Sequence, residues 1–164
     1  MTNDHVSYAL ELGERTHPLE TVRGVEGLSL AFRFEVTLPL EPLSTIDPEA
    51  LVREVATLVI SRGGELRRIQ GVVTEASRTA TRKTNAGASL LSLVVEPRLA
   101  LLRLRQDIRV FRNKSVPQIV REVLAHLGIE LELRLRGAYP ARPYCVQFRE
   151  SDFAFVARLL EDEG

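Results

Sequence analysis

The stretch LAFRFEVTL limits this chain more than any other. Leu30, Phe32, Phe34, Val36 and Leu38 alternate with Ala31, Arg33, Glu35 and Thr37. A helix would scatter those apolar side chains around its circumference. A strand puts all of them on one face and the polar set on the other. One apolar face of a sheet has to be covered, so the surrounding sequence must supply more sheet.

It does. VSYALEL precedes the alternation, and SLLSLVVEP, closed by Pro97, reads as a later strand. Between them VATLVISRGGELRRIQGVVTEASRT reads as a hairpin, with Gly63 and Gly64 supplying the positive φ of a tight connection. Gly71 interrupts the second strand of that hairpin, which predicts a bulge or a close backbone approach. PLEPLSTIDPEALVRE is a proline-broken loop in which Asp47 caps a short turn opened by Pro48. ATRKTNAGA is a polar loop tip. About five antiparallel strands with such turn and bulge signals predict a small barrel or a strongly bent sheet. In RLALLRLRQDIRVFRN, Leu99, Leu102 and Leu104 fit either a helical turn or a strand. Ile108 and Val110, with Arg109 pointing outward, favour a strand at its end.

The texture changes after that segment. Ser115 and Gln118 make a capping box, with Pro117 in the first turn. Val116, Ile119, Val120, Val123, Leu124 and Leu127 then recur at helical spacing, and Gly128 ends the helix. IELELRLR alternates again, Leu131, Leu133 and Leu135 against Glu130, Glu132, Arg134 and Arg136. GAYPARPY is a loop and CVQFRE a strand. Ser151 caps a final helix whose first turn carries Asp152, well placed on the positive end of the dipole. Phe153, Val156, Leu159 and Leu160 form its apolar stripe, flanked by Phe155 and Ala157. A free helix of about a dozen residues is marginal in water. It is therefore expected to lie on the sheet of residues 130–149, beside the helix 116–127. Glu161, Asp162 and Glu163 stand at the wrong end of it for the dipole. The fold class is α+β, mainly β: an antiparallel barrel-like domain followed by the start of a small α+β domain.

With 164 residues, 45% hydrophobic and 27% charged, the chain has the make-up of a soluble globular protein of one ordinary or two small domains. No apolar run is long enough to span a membrane, and the N-terminus lacks the basic and apolar regions of a secretory signal. Cys145 is the only cysteine, so no intrachain disulfide forms, which fits a reducing compartment. The formal charge is zero, yet residues 62–114 hold 12 Arg and Lys against 4 Asp and Glu. That basic segment raises nucleic acid as a partner. Phe111 is its only aromatic residue, so stacking platforms are missing and solvated strand faces or an acidic partner explain it better.

The chemistry of catalysis is not written here. The nucleophile-elbow, phosphate-loop, dinucleotide and zinc-helix motifs do not occur. His5, His17 and His126 have no base or ligand partner near them in sequence, and Cys145 has no histidine near it. The pair Glu130 and Glu132 follows from strand alternation. No metal cluster and no cofactor are expected.

FRFEVTL, QGVVTEAS, IRVFRNKSVPQIVREVLAHLG and YPARPYCVQFRESDFAFVARLLEDEG, in that order, resemble the N-terminal region of the VgrG spike proteins of type VI secretion and of phage baseplate hub and late-control proteins. The likeness runs from about Val6 to Gly164. It is closest to a family signature at Tyr144, Cys145, Val146, Gln147, Phe148, Arg149, Glu150, Ser151, Asp152 and Phe153. The resemblance implies residues 1–112 as a first tube β-barrel and 113–164 as a partial outer α+β domain of helix, strand, strand and helix. It implies a homotrimer that caps the hexameric Hcp tube and meets baseplate proteins. The role implied is structural, without a small-molecule substrate or an integral membrane segment, assembled in the cytoplasm and exported by the machine. Family chains continue into a second barrel, a neck and a piercing needle, so this chain is expected to be a fragment. A fragment of that kind should expose an apolar strip. The alternative is a free-standing α+β protein-binding module.

Overall fold

A computed structural model describes residues 6–28, 30–40, 45–80, 89–126, 128 and 131–164. The loop tip expected at 81–88, His5 and Leu127 lie outside them. The chain divides into two units, one ending at Pro97 and one starting at Arg98.

In the first unit the strands are β1 (Val6–Leu12), β2 (Arg15–Pro18), β3 (Thr21–Gly27), β4 (Leu30–Leu40), β5 (Val55–Arg62), β6 (Glu65–Ala80) and β7 (Ser89–Glu96). They form one seven-stranded sheet in the order β2-β1-β5-β6-β7-β4-β3. Every pairing is antiparallel. The alternation that opened the reading is β4: Phe34, Val36, Leu38 and Leu40 enter the core, while Arg33, Glu35 and Thr37 face the other way. Leu10, Leu58, Val73, Leu91 and Leu93 meet them inside.

Tight geometry accounts for the glycines that matter. Gly63 and Gly64 have φ of 57° and 90° and turn β5 into β6. At Gly71 a Cβ would stand 2.5 Å from the Glu96 carbonyl oxygen, so the expected close approach is between β6 and the end of β7. The register shift in that pair falls at Val73/Glu75. Asp47 accepts from the Glu49 amide at 3.0 Å and starts the short 3-10 turn Glu49–Leu51.

Sequence reading missed β2 and β3. RTHP is short and ends in proline, and TVRGVEG has no apolar alternation. These two strands are the opposite edges of the sheet, yet only Leu19 and Glu20 separate them. The Leu19 amide bonds the Tyr8 carbonyl of β1, and the Glu20 amide bonds the Thr37 carbonyl of β4. Two residues span at most about 7 Å, so β1 and β4 approach each other although three strands lie between them in the sheet order. The described ladders do not join β2 to β3.

The second unit begins with a 3-10 turn, Arg98–Leu104, followed by β8 (Gln106–Lys114), helix α1 (Val116–Ala125), β9 (Arg142–Ser151) and helix α2 (Asp152–Glu163). β8 and β9 form a two-stranded antiparallel sheet. Ile119, Val123, Phe155 and Leu159 of the helices share one core with Phe111 and Cys145 of the strands and Leu102 of the turn. Ser115 and Gln118 form the expected capping box, with Gln118 Oε1 accepting from the Ser115 amide at 2.8 Å, and Gly128 has φ 59° past the helix end.

Three expectations need correction here. Residues 131–136 are not a strand: β9 pairs with β8 along its whole length, and the alternating leucines split between a contact with the core at Leu131 and exposure at Leu135. The expected sheet of residues 130–149 is thus the sheet of β8 and β9. A boundary after Arg112 would cut β8, whose pairing keeps it with β9, and the units divide at Pro97 instead. Finally, Phe155, Val156 and Leu159 are the buried stripe of α2, whereas Phe153 is only partly buried and Leu160 is exposed. The helix is rotated toward Phe111, whose ring stacks on Phe155 at 5.6 Å.

Candidate functional site

The signature residues occupy β9 and the first turn of α2. Strand alternation sends Cys145 and Gln147 toward the helices and Tyr144 and Phe148 outward. A buried glutamine is costly unless it is bonded. Gln147, fully buried, is bonded three times. Its Oε1 accepts from Arg109 Nε at 2.9 Å, and its Nε2 donates to the Glu150 carbonyl at 3.1 Å and to Asp152 Oδ1 at 2.8 Å.

Asp152 is 1% exposed. A buried carboxylate needs a countercharge. Arg109 Nη2 provides it by direct contact with Oδ1, and Arg105 Nε lies 3.8 Å from Oδ2. The Asp152 amide donates to the Arg105 carbonyl at 2.9 Å, fixing the helix start to the chain entering β8. Arg109 was expected to point outward. It points inward because the pleat at Arg109 faces Gln147, its cross-strand partner. Its Nη1 is buried without a hydrogen-bond partner among the described residues.

The remaining positions finish the junction. Arg149 has φ 52° at the point where the ladder shifts register. Glu150 accepts from Arg158 at 2.6 Å and holds that guanidinium above its ordinary pKa; Arg158 also donates to the Val146 carbonyl at 3.3 Å. Ser151 Oγ accepts from the Ala154 amide at 3.1 Å, the expected cap. Arg103 lies over the Phe153 ring at 4.4 Å. The acids at the far end of α2 answer to Arg142, which reaches Glu163 at 2.7 Å and Asp162 at 3.3 Å. Sequence reasoning missed Arg103, Arg105, Arg109 and Arg142 as partners. For Arg105, Arg109 and Arg142 the acids of α2 were the available signal, since each needs a countercharge; Arg103, which meets the Phe153 ring, had none.

The outer face of the two-stranded sheet is apolar. Ile108 stands opposite Phe148, and Val110 opposite Val146, with Tyr144 beyond them opposite Arg112. Phe148 and Tyr144 are 62% and 60% exposed. This face is an exposed apolar strip.

The outer face of the large sheet holds a cleft lined by hydroxyl and charged side chains. Thr21, Thr37, Ser92 and Ser77 line up there across four strands, with Thr21 and Thr37 bonded at 2.6 Å. Arg33 is held by Glu75 at 3.0 Å and Glu96 at 3.4 Å, so these charges satisfy one another. His17 lies in β2 and His126 ends α1. Among the described residues no group of His, Cys, Asp and Glu is arranged to hold a metal. No helix among them is long and apolar enough to cross a membrane.

The fold is an antiparallel sheet followed by a small unit of two strands and two helices. The phage tail baseplate hub (GPD) family matches residues 25–164, and the chain belongs to that family. It is 36% identical to the type VI secretion system spike protein VgrG5 of Pseudomonas aeruginosa over 98% of this chain and 20% of that protein. The spike protein VgrG3 of Vibrio cholerae is 35% identical over 81% of this chain and 13% of its own length. The solved Escherichia coli c3393 protein, described as a type VI secretion component similar to the T4 tail proteins gp27 and gp5, superposes with a TM-score of 0.73. It is 28% identical and covers 94% of this chain and 43% of its own. A 43 kDa prophage tail protein of Shewanella oneidensis shares the fold at a TM-score of 0.62 and 19% identity, over 98% of this chain and 51% of its own. The chain thus spans about a fifth of the length of VgrG5. Another relative, 30% identical over 97% of this chain and 15% of its own, is named an actin cross-linking toxin.

Proposed function

We propose that this chain forms part of a subunit of a type VI secretion spike and works by assembly, not catalysis. The observation that carries this reading is its 36% identity to a spike protein across 98% of the chain. In this reading the large sheet curls through the Leu19–Glu20 step into a barrel-like tube domain. The second unit begins the outer α+β domain, and the signature from Tyr144 to Phe153 seats α2 on it. Three copies close around an axis and cap the hexameric Hcp tube, next to baseplate proteins. The complex assembles in the cytoplasm and leaves with the machine. The apolar outer face of β8 and β9 supports a place inside an assembly, since monomers rarely leave contiguous apolar surface uncovered.

The test is light scattering and sedimentation of the chain with and without purified Hcp rings. The expected result is a species of about three times the 18.4 kDa monomer that co-migrates with the rings. A clean monomer that ignores the rings overturns the proposal.

A further inference from the structure

The apolar pattern of β8 and β9 does not by itself choose one pairing. A slip of one residue would turn every side chain to the wrong face, but a slip of two leaves each on its own face. Outside, Ile108 and Val110 would meet Val146, Phe148 or Tyr144 equally well in any such register. Among the described residues no third strand joins this sheet to decide the matter.

The polar residues do distinguish the registers. Arg109 stands opposite Gln147 in the observed pairing. Only there does Arg109 Nε reach Gln147 Oε1 while Arg109 Nη2 meets Asp152, and Gln147 Nε2 closes the triangle on Asp152 Oδ1. Asp152 follows β9 directly, so moving β9 by two residues moves the carboxylate along β8 and away from Arg109. It would break the buried Arg109–Asp152 contact and the Arg109–Gln147 bond together, which is heavily penalised.

We infer that the Arg109–Gln147–Asp152 clasp selects the register of β8 against β9, and so where α2 lands. The clasp acts as a positioning device, and the surrounding apolar contacts hold the unit together. Buried polar groups serve this way where an apolar core leaves competing arrangements close in energy.

Cross-linking reads the register directly. The Val146 carbonyl points away from β8, toward Arg158, so Val110 and Val146 form a non-hydrogen-bonded pair, the closer kind that suits a disulfide. In a Cys145→Ala background, Val110→Cys with Val146→Cys reports the observed register. Val110→Cys with Phe148→Cys, or with Tyr144→Cys, reports a slip of two either way. With the clasp intact only the first pair should close. With Arg109→Met, Gln147→Leu and Asp152→Leu combined, the slipped pairs should rise to about a tenth or more of the cross-linked product. A triple variant that is folded by circular dichroism and closes only the first pair overturns the inference. If the triple variant does not fold, Arg109→Met with Asp152→Asn decides. It removes the charge pair and every clasp contact to β8, while position 147 keeps its bonds within β9 and the start of α2. Mixed closure upholds the inference and exclusive closure of the first pair overturns it.

Discussion

Phe155→Ala should unfold the second unit and leave the first standing. The Phe155 ring is fully buried and stacks on Phe111 with ring centroids 5.6 Å apart and 14° between planes. Truncating a core Phe to Ala costs about 3–5 kcal/mol, and the lost ring pair puts this site at the upper end. Domains hold roughly 0.05–0.15 kcal/mol per residue. For residues 98–164 that is about 3–10 kcal/mol, so the substitution removes much or all of it. Both α-helices among the described residues lie in this unit, which gives the assay its selectivity. Circular dichroism at the helical minimum should collapse while the sheet signal persists. Phe153→Ala is the control: it removes a partly buried ring under Arg103 and should cost roughly 1 kcal/mol. A Phe155→Ala protein with its helical signal intact and its melting midpoint within about 3 °C of the parent would refute the packing argument.

Asp152→Ala removes the buried partner of Arg109, leaves Asp107 at 3.4 Å as its remaining carboxylate, and should cost about 3 kcal/mol in urea unfolding. Gly71→Ala drives a methyl against the Glu96 carbonyl and should destabilise the first unit by about 1–3 kcal/mol, read as a shift of its melting transition. The Asp107 carboxyl is held below its ordinary value, first by the Ile108 amide at 2.8 Å and then by Arg109 and Arg105. Its contribution is therefore present above the ordinary carboxylate range and lost as pH falls through the lowered value. Asp107→Asn should flatten the acid limb of the stability curve of the second unit, and an unchanged limb would discount the bond.

What could be read from the sequence was what repeats. The alternation in β4, the Gly63–Gly64 turn and the Ser151 cap each depend on neighbours in the chain, and each appears in place. LELRLR, residues 131–136, repeats just as clearly and is not a strand, because no neighbouring strand among the described residues pairs with it. Partner choice is a long-range matter that no local pattern records. The same limit explains Arg109. Its alternation with Ile108 and Val110 was visible, but which side faced the helices depended on Gln147 across the ladder. Phe153 and Phe155 traded places for a related reason: helical spacing allowed either to lead the stripe, and contact with Phe111 decided.

One detail of the junction bears on how the protein behaves when crowded. Arg158 lays its guanidinium on the Val146 carbonyl, with Glu150 holding it there. Open strand margins are where stray chains attach and grow into fibres. Any newcomer at this margin must first evict a bonded cation, so this edge of β9 resists the addition of a further strand.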